Sequence, residues 1–290
     1  DEMKGNSLAV FNSNDIYPVS ADSELPFEQH RDIFHLTGID QEETILLLYP
    51  PSKDDKTREI LFIRKSDNHT KVWEGEKLSK KQANELSGID SIYFIDDFKD
   101  ILSSIATKVD TFYINKNEHY RANSPVETRE DRFISWLLKK YPAHNVAKSN
   151  PILQRQRSIK HPDEIDQIKK ACDITRKGFN RVLEFIKPNV WEYEIEAEFI
   201  HEFINSSSKG FAYSPIIASG NDNNVLHYIK NNKQCKSGEL ILMDVGAEYG
   251  NYSSDMTRTV PVSGKFSKRQ KEIYNAVLRV KNEATKLLTV

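Results

Sequence analysis

The stretch that decides the fold is LILMDVGAEYGNYSSDMTRTV, residues 240–260. Two runs rich in residues that favour β-strands flank the dipeptide Gly250-Asn251, which is typical of a tight hairpin turn. The pattern therefore predicts two antiparallel strands, Glu239–Tyr249 and Tyr252–Val262.

This hairpin is expected to bring two carboxylates to one face of the sheet. With a two-residue loop, Asp244 lies opposite Thr257, and Asp255 lies opposite Gly246. Asp244 and Asp255 are then diagonal neighbours on the same face, with Cβ atoms about 7–8 Å apart or somewhat less. A three-residue loop would place them on opposite faces instead.

Two carboxylates on one sheet face repel each other unless a positive charge lies between them. Two metal ions about 3.5–4 Å apart would fit this spacing, and hard oxygen ligands favour Mg²⁺, Mn²⁺ or similar ions. The alternative is that Asp255 pairs with Arg258 or a lysine and that Asp244 caps a turn. The spacing alone favours this ordinary structural role over a metal site.

Local sequence marks two further candidate side chains and one basic cluster. His227 lies in the strand-like run Val225–Ile229. A histidine there is either a hydrogen-bonded structural residue or a group that shuttles protons or holds a substrate carbonyl. Trp73 is expected in the core or an interface, with exposed recognition as the less favoured alternative. The basic cluster Arg155–Lys160 is expected to be a solvated linker.

The length of 290 residues is sufficient for two domains. The first half alternates short strands and helices, which indicates an α/β layer fold. In the second half, helices are predicted from Pro162 and from Trp191, and a final helix is predicted from Ser267, where Gln270 completes a capping box. We therefore predict one domain over residues 1–150 and another over residues 158–290.

Charge, hydropathy and cysteine content exclude several classes of protein. The 41 Lys and Arg residues balance 43 Asp and Glu residues, whereas proteins that bind nucleic acids or anionic membranes normally carry a basic excess. No stretch approaches the roughly 18 apolar residues of a membrane span. Two cysteines make no disulfide framework, which predicts a reducing compartment, the cytoplasm. The chain begins with Asp1 without a leader pattern, and we expect both ends to be cut.

Seven segments carry a resemblance to known proteins. Four resemble the "pita-bread" domain of metallopeptidases: Ile216–Gly220, Leu226–Tyr228, Leu242–Gly246 and Ser254–Thr259. Three more are similar to the aminopeptidase P branch of metallopeptidase family M24: Ser20–Phe27, Phe34–Gly38 and Arg157–Ile165. The resemblance implies an N-terminal creatinase/aminopeptidase P-like α/β domain, followed by the first half of a pita-bread α+β domain.

The resemblance also implies a site with two divalent metal ions, most often manganese, held by two Asp, one His and two Glu. By motif position, Asp244 would ligate one ion through both oxygens and Asp255 would bridge the two ions. His227 would lie beside the substrate and help to bind or protonate it. Trp73 falls in a stretch that can reach a neighbouring subunit's active site in oligomeric relatives, so a homo-oligomer is expected.

The activity that the resemblance implies is that of an Xaa-Pro aminopeptidase, which acts on peptides with proline in the second position. The His and two Glu ligands should follow the final helix, beyond Val290. We therefore expect a truncated chain that is inactive by itself. The alternatives are a prolidase, which acts only on Xaa-Pro dipeptides, and a non-catalytic pita-bread module that binds peptides or proteins.

Overall fold

The computed structural model describes residues 2–116 and 125–289. The chain divides into two compact units, unit 1 over residues 1–159 and unit 2 over residues 160–290. The domains predicted at 1–150 and 158–290 lie beside this division, and the segment between them belongs to unit 1. Among the described residues, no helix combines the length and the apolar character that a membrane span requires.

The described part of unit 1 combines strands with short helices. Its strands are β1 (Ser7–Asn12), β2 (Pro18–Ser20), β3 (Ser23–Glu24), β4 (Ile45–Leu48), β5 (Glu59–Ile63), β6 (Ser91–Phe94), β7 (Thr111–Ile114) and β8 (Asn145–Lys148). Its α-helices are α1 (Arg31–Thr37), α2 (Asn68–Trp73), α3 (Lys80–Ser87), α4 (Phe98–Ala106), α5 (Arg129–Lys140) and α6 (Asn150–Ser158). Single 3₁₀ turns span Asp55–Thr57 and Ile95–Asp97.

Six of these strands form one mixed sheet in the order β6-β5-β4-β1-β7-β8, with helices on both faces. Strand β1 shows why, because it is buried along its whole length. Its residues Leu8 and Val10 join a core with α4 and α5, whereas Ala9 and Phe11 join a second core with α1, α3 and α6. A continuous apolar run of this kind is typical of a strand covered on both faces. The α/β layer fold predicted for the first half is confirmed.

The basic segment that was predicted to be a solvated linker is mostly helical. Helix α6 buries Leu153 in the core of unit 1. Arg157 donates from Nη1 to Asp32 Oδ1 at 2.6 Å, and Arg155 pairs with Glu2. The linker prediction was therefore wrong, because carboxylates far away in the sequence pair with two of the basic side chains.

The described part of unit 2 has three α-helices and two small antiparallel sheets. The helices are α7 (Pro162–Phe185), α8 (Glu192–Asn205) and α9 (Lys268–Thr285). The strands are β9 (Gly210–Phe211), β10 (Ile216–Ser219), β11 (Leu240–Val245), β12 (Ala247–Tyr249), β13 (Tyr252–Ser253) and β14 (Met256–Pro261), with a 3₁₀ helix at Gly220–Asn224. The sheet orders are β10-β11-β14 and β13-β12-β9.

The core of unit 2 forms where α7 and α8 pack against these sheets. Phe199 and Phe203 of α8 are fully buried together with Met243 of β11. Gly178 allows α7 to come close to α8, since a Cβ atom there would lie 2.8 Å from Phe203 Cε1. The sheet that carries Asp244 is therefore held from behind by two closely packed helices.

The predicted hairpin has the predicted register. Tyr249 pairs with Tyr252 and Asp244 pairs with Thr257. Gly250 and Asn251 have φ angles of 57° and 65°, the left-handed values that a tight two-residue turn requires. Each long strand of the prediction is divided in two, however, because the ladder is interrupted between β11 and β12 and between β13 and β14.

Candidate metal centre

The two carboxylates of the hairpin face the same hydroxyl group. Tyr213 donates from its OH to Asp244 Oδ1 at 2.6 Å and lies 3.2 Å from Asp255 Oδ1. The predicted common face of the two carboxylates is therefore confirmed. Because a hydroxyl carries a single proton, it can serve only one of the two carboxylates at a time.

These three side chains line a pocket of about 330 Å³. His227 also lines it, and Ile216 and Ile229 form an apolar part of its wall. The structure thus places His227, Asp244 and Asp255 around one cavity. Such a combination of converging polar groups and an apolar wall is typical of a small-molecule or peptide site.

A tight backbone crossing brings the two aspartates together. A Cβ atom on Gly246 would lie 1.8 Å from the carbonyl oxygen of Ser254, the residue before Asp255. The buried Ser254 Oγ lies 2.7 Å from Thr175 Oγ1 of α7 and accepts from Ala247 N at 3.0 Å. The absence of a side chain at Gly246 and these hydroxyl contacts together fix the point where the two strands cross.

His227 lies in a turn and its side chain is exposed, whereas Val225–Ile229 was predicted to be strand-like. The prediction was wrong because this run has no partner strand. Only Tyr228 is buried in it, while Leu226 is 88% exposed and Ile229 is 60% exposed. The turn directs His227 to the pocket without the support of a β-ladder.

Burial and hydrogen bonding raise the pKa of Tyr213 well above its ordinary value, and the charges of the two aspartates act in the same direction. The phenol therefore stays protonated at physiological pH and remains a donor. This tyrosine was missed in the sequence. The segment Phe211–Ser219 was predicted to be extended, but Tyr213 precedes the regular strand, so no period indicated where its side chain points.

Replacing Tyr213 with Phe is expected to lower the free energy of unfolding by about 1 kcal/mol, at the low end for a hydrogen bond to a charged group because the site is partly open to solvent. The measurement is urea denaturation followed by circular dichroism. Tyr193→Phe is the matched control, because Tyr193 is half-exposed and its ring stacks on Trp191. Equal shifts in the two variants would show that the shared hydroxyl contributes nothing.

The ordinary structural roles considered for the two aspartates are not observed. Arg258 donates to the carbonyl oxygen of Thr257 at 2.8 Å, and within residues 2–116 and 125–289 no ion pair joins Asp244 or Asp255 to a lysine or arginine. Asp244 lies inside β11 and does not cap a turn. Neither charge is neutralised, so the pair fits a bound cation.

The donor set is incomplete for a tightly bound ion. In the part of the chain that the structure describes, no group of three or more His, Cys, Asp or Glu side chains is placed to hold a metal. Asp244 and Asp255 would supply the hard oxygen ligands that divalent ions prefer. The two residues therefore fit a divalent ion as one part of a larger ligand set.

Trp73 is the last residue of α2 in unit 1 and is 76% exposed, so its expected place in the core was wrong. The end of α2 is held by charged groups. Arg64 donates to both carboxylate oxygens of Glu74 at 2.6 and 2.7 Å, and Lys77 lies 2.6 Å from Glu42. These contacts present the indole on a fixed support.

Two family descriptions match the chain. Metallopeptidase family M24 matches residues 166–290, and the aminopeptidase P N-terminal domain matches residues 1–113. The predicted combination of an α/β N-terminal domain with a pita-bread metallopeptidase domain is therefore confirmed.

Individual relatives agree with these descriptions. The chain is 31% identical to an Xaa-Pro aminopeptidase of Escherichia coli over 284 residues, covering 96% of this chain and 63% of the relative. It is also 31% identical to an Xaa-Pro aminopeptidase of Haemophilus influenzae, with coverages of 99% and 64%. The chain thus spans slightly less than two thirds of the length of these relatives.

Solved structures show the same likeness. Zn-substituted E. coli aminopeptidase P in complex with product superposes with a TM-score of 0.85 at 30% identity, covering 96% of this chain and 63% of that one. Pseudomonas aeruginosa aminopeptidase PepP gives a TM-score of 0.85 at 29% identity, with the same coverages. The chain belongs to metallopeptidase family M24 and has the domain combination of aminopeptidase P.

Proposed function

We propose that this chain provides part of a metal-dependent Xaa-Pro aminopeptidase, a hydrolase that cleaves the bond between an N-terminal residue and the proline after it. The observation that carries the proposal is the pair Asp244 and Asp255, which meet at one hydroxyl in one pocket without a basic partner among the described residues. Relatives of this chain bear the name of that activity. The proposed substrates are peptides with proline in the second position.

The cofactors that we propose are two divalent metal ions, with manganese as the resident metal. Asp244 would hold one ion through both oxygens, and Asp255 would bridge the two. When bound, such ions supply the activation of water and the polarisation of the scissile carbonyl. Support comes from the two unneutralised carboxylates, and zinc is found in a related E. coli enzyme.

His227 is proposed to act on the substrate, because its imidazole is exposed at the pocket beside the two aspartates. Cleavage before proline releases a secondary amine, which must gain a proton in order to leave. An imidazole can hold the substrate carbonyl or donate that proton near neutral pH. Ile216 and Ile229 would contact apolar parts of the peptide.

Trp73 is proposed to contact substrate in a neighbouring subunit of a homo-oligomer. Its exposure supports this role, since a large aromatic side chain held out on a helix is a typical anchor at an interface. The proposed location is the cytoplasm, which fits the two free cysteines, Cys172 and Cys235.

The activity test compares an Xaa-Pro-Yaa tripeptide with an Xaa-Pro dipeptide, using the protein extended to the length of its relatives. We expect manganese-dependent release of the first residue from the tripeptide, and loss of this release with a chelator. Turnover of the dipeptide alone would indicate a prolidase. Peptide binding without any turnover would indicate a non-catalytic module.

The 290-residue chain by itself is expected to be inactive, because two carboxylates are too few ligands for a tight dinuclear site. The same tripeptide assay tests this expectation. Metal-dependent release of the first residue by the 290-residue chain would contradict it and would show that the described ligands are sufficient.

A further inference from the structure

A buried carboxylate holds the segment that carries His227. Glu192, the first residue of α8, is 0% exposed. Its Oε1 accepts hydrogen bonds from both N and Oγ of Ser219 at 2.7 Å. Its Oε2 accepts from the OH of Tyr228 at 2.7 Å and from N of Lys233 at 2.9 Å. Four donors from one stretch of chain thus converge on a single side chain.

This arrangement satisfies a charge that would otherwise be costly to bury. Burial and the hydrogen bond to Glu192 raise the pKa of Tyr228 to about 12, so the phenol remains a donor throughout the physiological range. Removing one donor would leave part of a buried carboxylate unsatisfied. The network is therefore expected to hold the segment in one conformation.

The segment from Ser219 to Lys233 has few other fixed points. After the 3₁₀ helix at Gly220–Asn224 it contains no regular structure. Asn231 is buried further along, where its Oδ1 accepts from Ile217 N at 3.0 Å and its Nδ2 donates to Glu196 at 2.8 Å. The neighbours of His227 on its N-terminal side are exposed, so they offer it little support by packing.

Tyr228, the residue directly after His227, is consequently the closest anchor. Its ring packs with Ile216 and Ala218 of β10, and its hydroxyl reaches Glu192. Ile216 also lines the pocket, which connects the anchored strand directly to the candidate site.

We propose that Glu192 and Tyr228 are positioning residues for His227. The hydrogen bond between them fixes the backbone next to residue 227 and keeps the imidazole at the pocket of Asp244 and Asp255. The proposal rests on the function proposed above for His227 and deepens it, because it identifies what holds this exposed side chain in place.

The test is the NMR signal of the His227 imidazole in the 290-residue chain, assigned by its loss in His227→Gln. Tyr228→Phe keeps the ring and removes the hydroxyl. We expect the His227 signal to shift and broaden in this variant, while the signals of the other histidines stay unchanged. Tyr193→Phe, a half-exposed tyrosine at the start of the same helix, should leave the His227 signal as it is in the wild type.

Glu192→Gln is the second variant, with thermal unfolding as the check that it folds. The amide keeps the shape of the carboxylate but would turn an NH₂ group towards two of the donors. The same change at His227 is expected. An unchanged His227 signal in a folded Tyr228→Phe or Glu192→Gln variant would overturn the proposal.

The two proposals can fail separately. In the protein extended to the length of its relatives, Tyr228→Phe should lower kcat about ten- to hundredfold with little change in KM, since misplacing a catalytic group costs rate. If the NMR signal changes but the wild type hydrolyses no Xaa-Pro peptide, the positioning role holds and the proposed function fails. If the wild type is active and Tyr228→Phe alters neither kcat nor the NMR signal, the positioning role fails.

Discussion

Replacing Asp255 with Asn is expected to abolish both the manganese response and peptide hydrolysis in the protein extended to the length of its relatives, without unfolding it. The amide is similar in size to the carboxylate, but it is neutral and a poor bridging ligand. Loss of groups that merely support metal ligands already costs about 10–100-fold. The activity should therefore fall by at least about a hundredfold. Asp244→Asn is expected to behave in the same way.

The metal-free protein should respond in the opposite direction. Asp255→Asn removes one of two like charges, and the hydroxyl of Tyr213 can then serve Asp244 alone. We expect the metal-free variant to be at least as stable as the wild type, by up to about 1 kcal/mol. Thermal unfolding with and without manganese measures both effects, because binding to the folded state raises the unfolding temperature.

Asp166→Asn is the matched control for this substitution. Asp166 is on α7 in the same unit, and its side chain is 64% exposed beside Lys169. This variant should keep the manganese response and the activity. A full manganese response in Asp255→Asn would mean that Asp255 is not a ligand.

Gly246→Ala is expected to give the largest loss of stability in unit 2. The added Cβ would lie 1.8 Å from Ser254 O and 2.7 Å from Ser254 C, and both are backbone atoms that cannot rotate away. The strands would have to separate at the point where Asp244 and Asp255 meet. We expect unfolding to become easier by about 3 kcal/mol or more, the range of severe overpacking.

Gly5→Ala is the control for this glycine substitution, since Gly5 has open space around it and no positive φ angle. Its effect should stay within about 0.5 kcal/mol. Both variants are compared by thermal unfolding followed with circular dichroism. A Gly246→Ala protein as stable as Gly5→Ala would show that the crossing can relax, and with it the account of how the aspartates are placed.

The hairpin shows how far the sequence predicts this site. The dipeptide Gly250-Asn251 fixes a two-residue loop, and the period of two along a strand then fixes which side chains share a face. The pairing of Asp244 with Thr257 follows from these rules and is found in the structure. The final helix likewise begins as its capping box predicts, with Ser267 Oγ accepting from Gln270 N at 3.3 Å.

The residues that support the aspartates could not be found in this way. Tyr213 lies outside regular structure, so no period gives the direction of its side chain. Glu192 lies in the sequence among other glutamates at the start of α8, and only the fold shows that its donors come from residues 27 to 41 positions away. Both side chains owe their roles to long-range contacts.

The claim that the pocket of Asp244 and Asp255 is a metal centre is tested most directly by the metal content of the protein at the length of its relatives. The protein is loaded with manganese, freed of excess metal and measured by elemental analysis beside Asp255→Asn. We predict about two manganese ions per wild-type chain, as in a two-metal site, and a clear loss in the variant. A folded wild-type protein that retains no metal would contradict the account.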